Sequence, residues 1–362
     1  MRRNPRPIGH RPELPALITG GAGFIGTNVA ARLLQNGRRV RILDNLSRAG
    51  VEANLRWLCD TFGDRVERVI ADVRDASAVQ QAVADVGEVY HFAAQVAVTS
   101  SLDNPVYDFS VNAGGTLNLL EALRALPAPP PVIFTSTNKV YGDLEDVELV
   151  PDGDRYVPAD TATRMTGISE WRPVDFHSPY GCSKGAADQY VLDYARTFGI
   201  PAVVFRMSCI YGPHQCGTED QGWVAHFVIR AIDDQPITIY GDGLQVRDLL
   251  YVDDLVDAFM RAHEGMSGIA GEAFNIGGGP ERSTSLVELI AVLNELHDRP
   301  VALTFDAWRE ADQRYYVSDT RKFAEATGWS PRVSVADGVR ALHTWLTEAR
   351  TASVPVPASI SS

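Results

Sequence analysis

Through the first 210 residues, short apolar runs alternate with stretches whose apolar positions recur at helical spacing. The runs "ALIT" (16–19), "RVRIL" (39–43), "ERVI" (67–70), "EVYHFA" (88–93), "PVIFTS" (131–136) and "AVVFR" (202–206) predict strands. The stretches "GTNVAARLLQNG" (26–37) and "TLNLLEALRAL" (116–126) predict amphipathic helices, the first stopped at Gly37. Such alternation predicts an α/β fold, a doubly wound parallel sheet with helices on both faces.

After about residue 213 the alternation breaks. Helical patterns at 223–232, 253–263, 284–297 and 336–349 are separated by shorter strands and loops, which predicts a smaller α/β lobe packed on the open end of the sheet. The segment 143–178 is long, polar and Pro-containing; a connection of that length is functional or carries minor structure of its own. At 362 residues the chain exceeds what one core usually holds. The division expected is a first domain over 14–212 and a lobe over 213–350, with strands free to cross between them. The Pro- and Arg-rich residues 1–13 and the Pro-, Ser- and Ala-rich residues 351–362 are expected to be mobile tails.

Composition narrows the function classes. With 45% hydrophobic and 22% charged residues the chain is an ordinary globular sequence. Its formal charge of −13 argues against a general binder of nucleic acid or anionic membrane, while leaving room for a local basic pocket. Cys59, Cys182, Cys209 and Cys216 form no CxxC, and the eight histidines lack metal-ligand spacing, so no metal site is expected. Sparse cysteines suit a reducing compartment, and the expected location is cytoplasmic. No apolar run reaches the ~18 residues of a membrane span, and the basic N-terminus lacks a signal-peptide core.

Candidate chemistry begins at Gly20, Gly23 and Gly26, a GxxGxxG between the first strand and the first helix. Small residues there let the backbone turn sharply and approach a pyrophosphate, whose charge the helix N-terminus stabilises. Asp44 closes the second strand, where a carboxylate accepts from both adenosine ribose hydroxyls and repels a 2′-phosphate, which favours NAD over NADP. Arg48 nearby is the residue that keeps NADP in play. In "STNKVYG", Thr137 ends the fifth strand as a hydrogen-bonding partner for a substrate. Tyr180 and Lys184 form a YxxxK; on a helix they share one face, so the ammonium can approach the phenol and favour phenolate. Tyr180 could then exchange a proton with a sugar hydroxyl while hydride moves to or from a nicotinamide.

The ordered motifs TGGAGFIG, LDN, ADVRD, HFAAQ, VNAGGTLNLLEA, STNKVYG and PYGCSK resemble the extended short-chain dehydrogenase/reductase family acting on nucleotide sugars, over about 15–348. The resemblance implies a Rossmann-type sheet, NAD as cofactor, and the oligomeric state of a homodimer or homotetramer. It also implies roles for residues at matching positions. Gly20, Gly23, Phe24, Ile25 and Gly26 would hold the pyrophosphate. Asp44, Asn45, Ser47 and Arg48 would surround the ribose, and Asp72 and Val73 would meet the adenine. Ala93, Ala94, Gln95 and Asn112 would line the nicotinamide end. Thr137, Tyr180 and Lys184 would be catalytic, with Tyr180 and Lys184 also holding the nicotinamide ribose. Arg247 and Arg309 would bind the substrate diphosphate, and Asp312 would lie near its ribose. Asp319 in "VSDTRK" reads as a helix N-cap rather than a ligand.

Within that family, "STNKVYGDLE", "DFHSPYGCSKGAADQYVLDYARTFGI", "DQGWV" and "QVRDLLYVDDL" are similar to the CDP-sugar (paratose/tyvelose) 2-epimerases. That similarity implies hydride removal from C2 of a CDP-hexose, a transient keto sugar, and hydride return to its other face. One departure is "RMSCIYGPHQCGTEDQGW": the loop 207–219 lacks the His, second Ser and aromatic residues usual in that branch, which bears on the sugar and the base. A UDP-sugar 4-epimerase is the nearest alternative. A 4,6-dehydratase fits less, because Asn138 and Lys139 stand where those enzymes carry an Asp-Glu acid/base pair. A non-catalytic NAD or sugar sensor fits least, since Tyr180 and Lys184 are both present. Asn138 is placed with the substrate-binding residues.

Overall fold

Seven runs of β-branched and aromatic residues pair into one parallel sheet: β1 (Ala16–Thr19), β2 (Val40–Asp44), β3 (Val66–Ile70), β4 (Glu88–His91), β5 (Val132–Thr137), β6 (Ala202–Met207) and β7 (Ala273–Ile276). These positions come from a computed structural model, which describes residues 11–218, 220–297, 299–309 and 313–351. The tail segments 1–10 and 352–362, together with Asp312, lie outside the described residues.

The sheet order is β7-β6-β5-β4-β1-β2-β3, a Rossmann arrangement with an added seventh strand. Ile18 pairs with Ile42 on one side and Tyr90 on the other. β1, β4 and β5 are buried at every position, because helices cover both faces; this is why their sequences show no polar alternation. One face is covered by α1 (Phe24–Gln35) and the helices Val51–Phe62 and Val252–Glu264, meeting around Leu34, Leu58, Leu255 and Phe259. The other is covered by Ala76–Ala82, Gly115–Arg124 and α2 (Ser178–Phe198), around Val79, Leu119, Leu123 and Val191. The strand order reverses between β1 and β4, so their carboxyl ends open a crevice at that switch point.

Two elements beyond residue 213 belong spatially to this sheet. β7, a run the hydropathy pattern did not single out, extends it with Phe274 opposite Phe205. The helix Val252–Glu264, expected at 253–263, packs on the same face as α1. The remaining lobe gathers Trp223–Ile232, Leu286–Asn294 and Val335–Thr351 around Phe227, Leu289 and Leu342. Ser285 and Glu288 form a reciprocal capping box that starts Leu286–Asn294. Asp319 is not the N-cap: Thr320 takes that position, and Asp319, one residue earlier, accepts from the Arg321 N–H at 3.1 Å and pairs with its guanidinium at 2.7 Å.

The segment 143–178 does carry structure. An antiparallel hairpin, Leu149–Asp152 with Arg155–Pro158, turns at Gly153 (φ +62°), and a short helix, Thr161–Thr166, is capped by Asp160. Arg155 Nε donates to Glu288 at 2.7 Å, fastening the hairpin to the lobe. Deeper in, Arg206 of β6 and Asp188 of α2 make a buried, doubly hydrogen-bonded pair at 2.9 and 3.0 Å. Arg206 also donates to the Tyr141 hydroxyl, which in turn donates to Asn275 of β7 at 2.8 Å.

Candidate active site

The carboxyl ends of the central strands open into a cleft of ≈ 710 Å³. It runs from the glycine loop to Trp223 and is walled by both the sheet and the lobe. Its first wall is backbone. Gly20 has φ +67°, and a Cβ there would lie 2.7 Å from the Ala93 nitrogen. A Cβ on Gly26 would lie 2.4 Å from the Gly20 carbonyl, so the loop closes on its own helix only without a side chain. Gly23 then serves as the N-cap of α1 without a side-chain bond.

Asp44 braces this loop. Its carboxylate accepts from the Ala22 N–H at 3.0 Å and from the Leu46 N–H at 2.9 Å. Burial nevertheless raises its pKa above the ordinary carboxylate value, with those bonds and Arg48 opposing. Asn45 donates to Asp72 at 2.9 Å, and the Arg74 guanidinium beside Asp72 holds that carboxyl at about 2. Arg48 donates across the cleft to Gln221, so the ribose-side loop is already joined to the lobe. Val73 lies under Gly115, where a Cβ would meet it at 2.6 Å.

At the far end, β5 delivers Thr137 and α2 delivers Tyr180 and Lys184. Gly181 and Gly185 allow α2 to approach: a Cβ at Gly185 would meet the Phe176 ring at 2.4 Å, and one at Gly181 the Lys139 carbonyl at 3.3 Å. Tyr180 and Lys184, one helical turn apart, are both buried in the cleft floor. Lys184 Nζ donates to the Thr135 carbonyl at 2.6 Å and sits 4.6 Å from the Phe134 ring centre. Burial lowers its pKa to about 8. The phenol of Tyr180 is not brought toward neutrality by these groups. Burial pushes it up to about 12, against a hydrogen bond from Thr137 and the charge of Arg48 that favour the phenolate, while Asp108 disfavours it.

Gly20, Gly23, Phe24, Ile25, Gly26, Asp44, Asn45, Ser47, Arg48, Asp72, Val73, Ala93, Ala94, Gln95, Thr137, Asn138, Tyr180 and Lys184 all line this one cleft. Asn112 stands behind it: its Oδ1 accepts from the Gln95 N–H at 2.9 Å, and its amide donates to Asp108 and Ser183. Arg247 is buried in the strand Val246–Tyr251, donating to the carbonyls of Val246 (2.8 Å) and Gln313, outside the lining. Arg309 lies 4.0 Å over the Tyr240 ring and 3.5 Å from Asp220. The loop departing from the 2-epimerase pattern faces the cleft through Met207, Cys209, Gln215 and Thr218. Asn138 is engaged: it donates to Gln313 at 3.1 Å and accepts from Thr137 at 3.3 Å.

Sequence reasoning missed Gln313, Gln221 and Ser136. Gln221 lay in the noted block "DQGWV"; nothing local marked Gln313, 175 residues from its partner. Ser136 Oγ and Gln95 Oε1, both in the cleft wall, are buried without a hydrogen-bond partner among the described residues. Together with the side-chain-free glycine cradle, such orphaned groups fit a polar dinucleotide. Among the described residues no cluster of metal-ligating side chains occurs, and no helix is long and apolar enough to cross a membrane.

A Rossmann sheet with a glycine-loop cleft and a buried Tyr-Lys pair defines the dinucleotide-dependent α/β enzymes. Specifically, the chain belongs to the NAD dependent epimerase/dehydratase family, whose profile matches residues 16–277. It is 45% identical over 336 residues to a CDP-paratose 2-epimerase of Salmonella typhi, covering 91% of this chain and 98% of the relative. A putative UDP-glucose 4-epimerase of Methanocaldococcus jannaschii is 34% identical, covering 91% and 97%. Among solved structures, a Thermus thermophilus UDP-glucose 4-epimerase complex with NAD superposes with a TM-score of 0.76 at 31% identity, covering 92% of this chain and 98% of that one.

Proposed function

We propose that this protein is an NAD-dependent nucleotide-sugar epimerase that inverts C2 of a CDP-hexose. The observation that carries the reaction type is the meeting of Thr137, Tyr180 and Lys184 at one end of the glycine-loop cleft, with an engaged amide at Asn138 in place of a carboxyl group. The C2 position and the cytidine base rest on the 45% identity to a CDP-paratose 2-epimerase.

NAD, when bound along the glycine loop, supplies reversible hydride acceptance and a positive ring charge. The chain's own residues manage the proton. Tyr180 as phenolate takes the proton from the sugar O2, and Thr137 holds that hydroxyl beside it. Lys184, which donates to the Thr135 carbonyl, would hold the nicotinamide ribose, and the positive ring charge would favour the phenolate. The keto sugar then turns its other face, and Tyr180 returns the proton as hydride comes back. Arg247 and Arg309 are the lobe's candidates for the diphosphate, since planar forks suit phosphate oxygens; Arg247 would have to turn from the Val246 and Gln313 carbonyls to do so. A dehydratase would need an acid and a base beside Thr137, which an amide and an ammonium do not supply.

The decisive assay is incubation of the purified protein with CDP-paratose and NMR of the products. A C2-inverted sugar is expected, with UDP-glucose left unchanged. Interconversion of UDP-glucose and UDP-galactose alone would move the assignment to a 4-epimerase, the reading favoured by the M. jannaschii and T. thermophilus relatives. The four free cysteines suit a reducing cytoplasm. We place a homodimer contact on the helices Pro105–Phe109 and α2, which expose Val106, Phe109, Tyr190 and Phe198.

A further inference from the structure

Resting on the reading just given, we propose that Gln313 is a positioning residue for this reaction: it turns the Asn138 amide so that Thr137 is offered an acceptor and not a donor. Gln313 is fully buried, and a buried amide must match each end to a partner of the right kind. The anchor is the Gly142 carbonyl, which can only accept; Gln313 Nε2 donates to it at 2.5 Å. Gln313 Oε1 therefore faces Asn138 and accepts from Nδ2 at 3.1 Å. Asn138 Oδ1 is left facing Thr137, whose hydroxyl donates to it at 3.3 Å.

The consequence is a matter of counting lone pairs. Thr137 Oγ1 already accepts from the Lys139 N–H at 3.3 Å. With Asn138 as fixed, one lone pair stays available for a sugar hydroxyl, and the Thr137 proton can rest on Asn138 or turn to Tyr180. With the Asn138 amide reversed, Nδ2 and the Lys139 N–H would fill both lone pairs. Thr137 could then donate but could no longer accept the sugar O–H. For the transfer the sugar O–H turns from Thr137 to Tyr180; the sugar O–H bond breaks, the Tyr180 O–H bond forms, and Thr137 keeps its own proton and donates it to the sugar oxygen. The backbone carbonyl of Gln313 accepts from Arg247, so the device is fastened to the strand Val246–Tyr251.

The test follows the ionisation of Tyr180 in the purified full chain, by NMR of tyrosine labelled at Cζ, with the signal assigned by its loss in Tyr180→Phe. Gln313→Met keeps the bulk, removes the acceptor and frees the Asn138 amide to turn. Tyr180 should then titrate at lower pH, because the Thr137 proton is committed to its oxygen, while turnover falls about tenfold. The charged groups acting on Tyr180, Asp108 and Arg48, are the same in that variant, as is Lys184 one turn along α2. In Asn138→Asp both outer atoms accept, so adding Gln313→Met should leave the Tyr180 titration where Asn138→Asp alone sets it. An unmoved titration in folded Gln313→Met overturns the proposal. Should that variant not fold, the wild type decides: the Asn138 amide protons, assigned by their loss in Asn138→Asp, should exchange slowly with solvent, and fast exchange overturns it. Titration and exchange need no substrate. A wild type inert toward CDP-paratose would thus refute the functional reading and leave Gln313 to be judged by these two measurements.

Discussion

Along the glycine loop, the groups that wall the cleft come from Gly20 to Gly26 and are mostly backbone. Across from them, the wall is assembled from side chains of Met207, Gln221 and Trp223, backed by Gln313, which meets Asn138 from 175 residues away. The first wall is made by leaving atoms out, since a methyl group at Gly20 or Gly26 would collide with main chain. The second is made by long-range pairing, as in Arg48 with Gln221, or Asn54, which donates to both the Ala22 carbonyl (3.2 Å) and the His214 carbonyl (3.1 Å). A wall made of backbone suits a part common to many ligands, a pyrophosphate. A wall made of side chains can change its specificity without disturbing the loop.

The strongest test lies on the seam between the two. Tyr180→Phe keeps the packing of α2 and removes the hydroxyl; turnover in the NMR assay should fall about 10³-fold with the melting temperature nearly unchanged. Turnover within tenfold of wild type would remove Tyr180 from the chemistry. Next, Gly26→Ala attacks the backbone wall. Its Cβ, 2.4 Å from the Gly20 carbonyl, should cost about 1–3 kcal/mol of stability by denaturant titration and weaken NAD binding by calorimetry. If NAD affinity is untouched, the loop is not the pyrophosphate cradle.

Asn54→Leu cuts the tie between the walls, and three lost hydrogen bonds predict a loss of about 2–3 kcal/mol, read in the same denaturant titration. The smallest effect concerns His214, whose ring is tilted against those of Trp57 (4.3 Å between centres) and Trp345 (5.1 Å). Burial holds its pKa at about 4 against an ordinary 6.5, so the folded state keeps it neutral while the unfolded chain binds a proton. Stability is therefore full above about pH 6.5 and is lost as pH falls toward 4. His91, held at about 3 by burial, extends that loss to lower pH. His214→Phe keeps an aromatic ring in place and should flatten the decline of melting temperature between pH 6.5 and 4; an unaltered slope would place the acid sensitivity elsewhere.

Legibility follows the same division. The strands "ALIT", "RVRIL" and "AVVFR" could be read because a buried parallel strand is a continuous apolar run. β7, "AFNI", was missed because four residues in a helix-rich stretch carry too little pattern to separate strand from helix. The glycine loop, Asp44, Thr137, Tyr180 and Lys184 announced themselves through spacing, and they share one cleft. Gln313 carried no signal, since a glutamine among polar neighbours becomes a buried amide only when two distant segments close on it.

By itself the sequence determined the alternating α/β frame, the turn whose Gly20, Gly23 and Gly26 carry no side chain, and the placing of Tyr180 and Lys184 on one helical face. These depend on a helical period of 3.6 residues, on continuous apolar runs and on the absence of a Cβ, all local properties. The tertiary structure alone decided that Asn138 is held by Gln313, that Arg247 is buried against backbone carbonyls, and that Tyr180 sits near 12 with Lys184 near 8. Burial and hydrogen bonding are set by residues far apart in the chain, and a proton's preference changes with the water that folding removes.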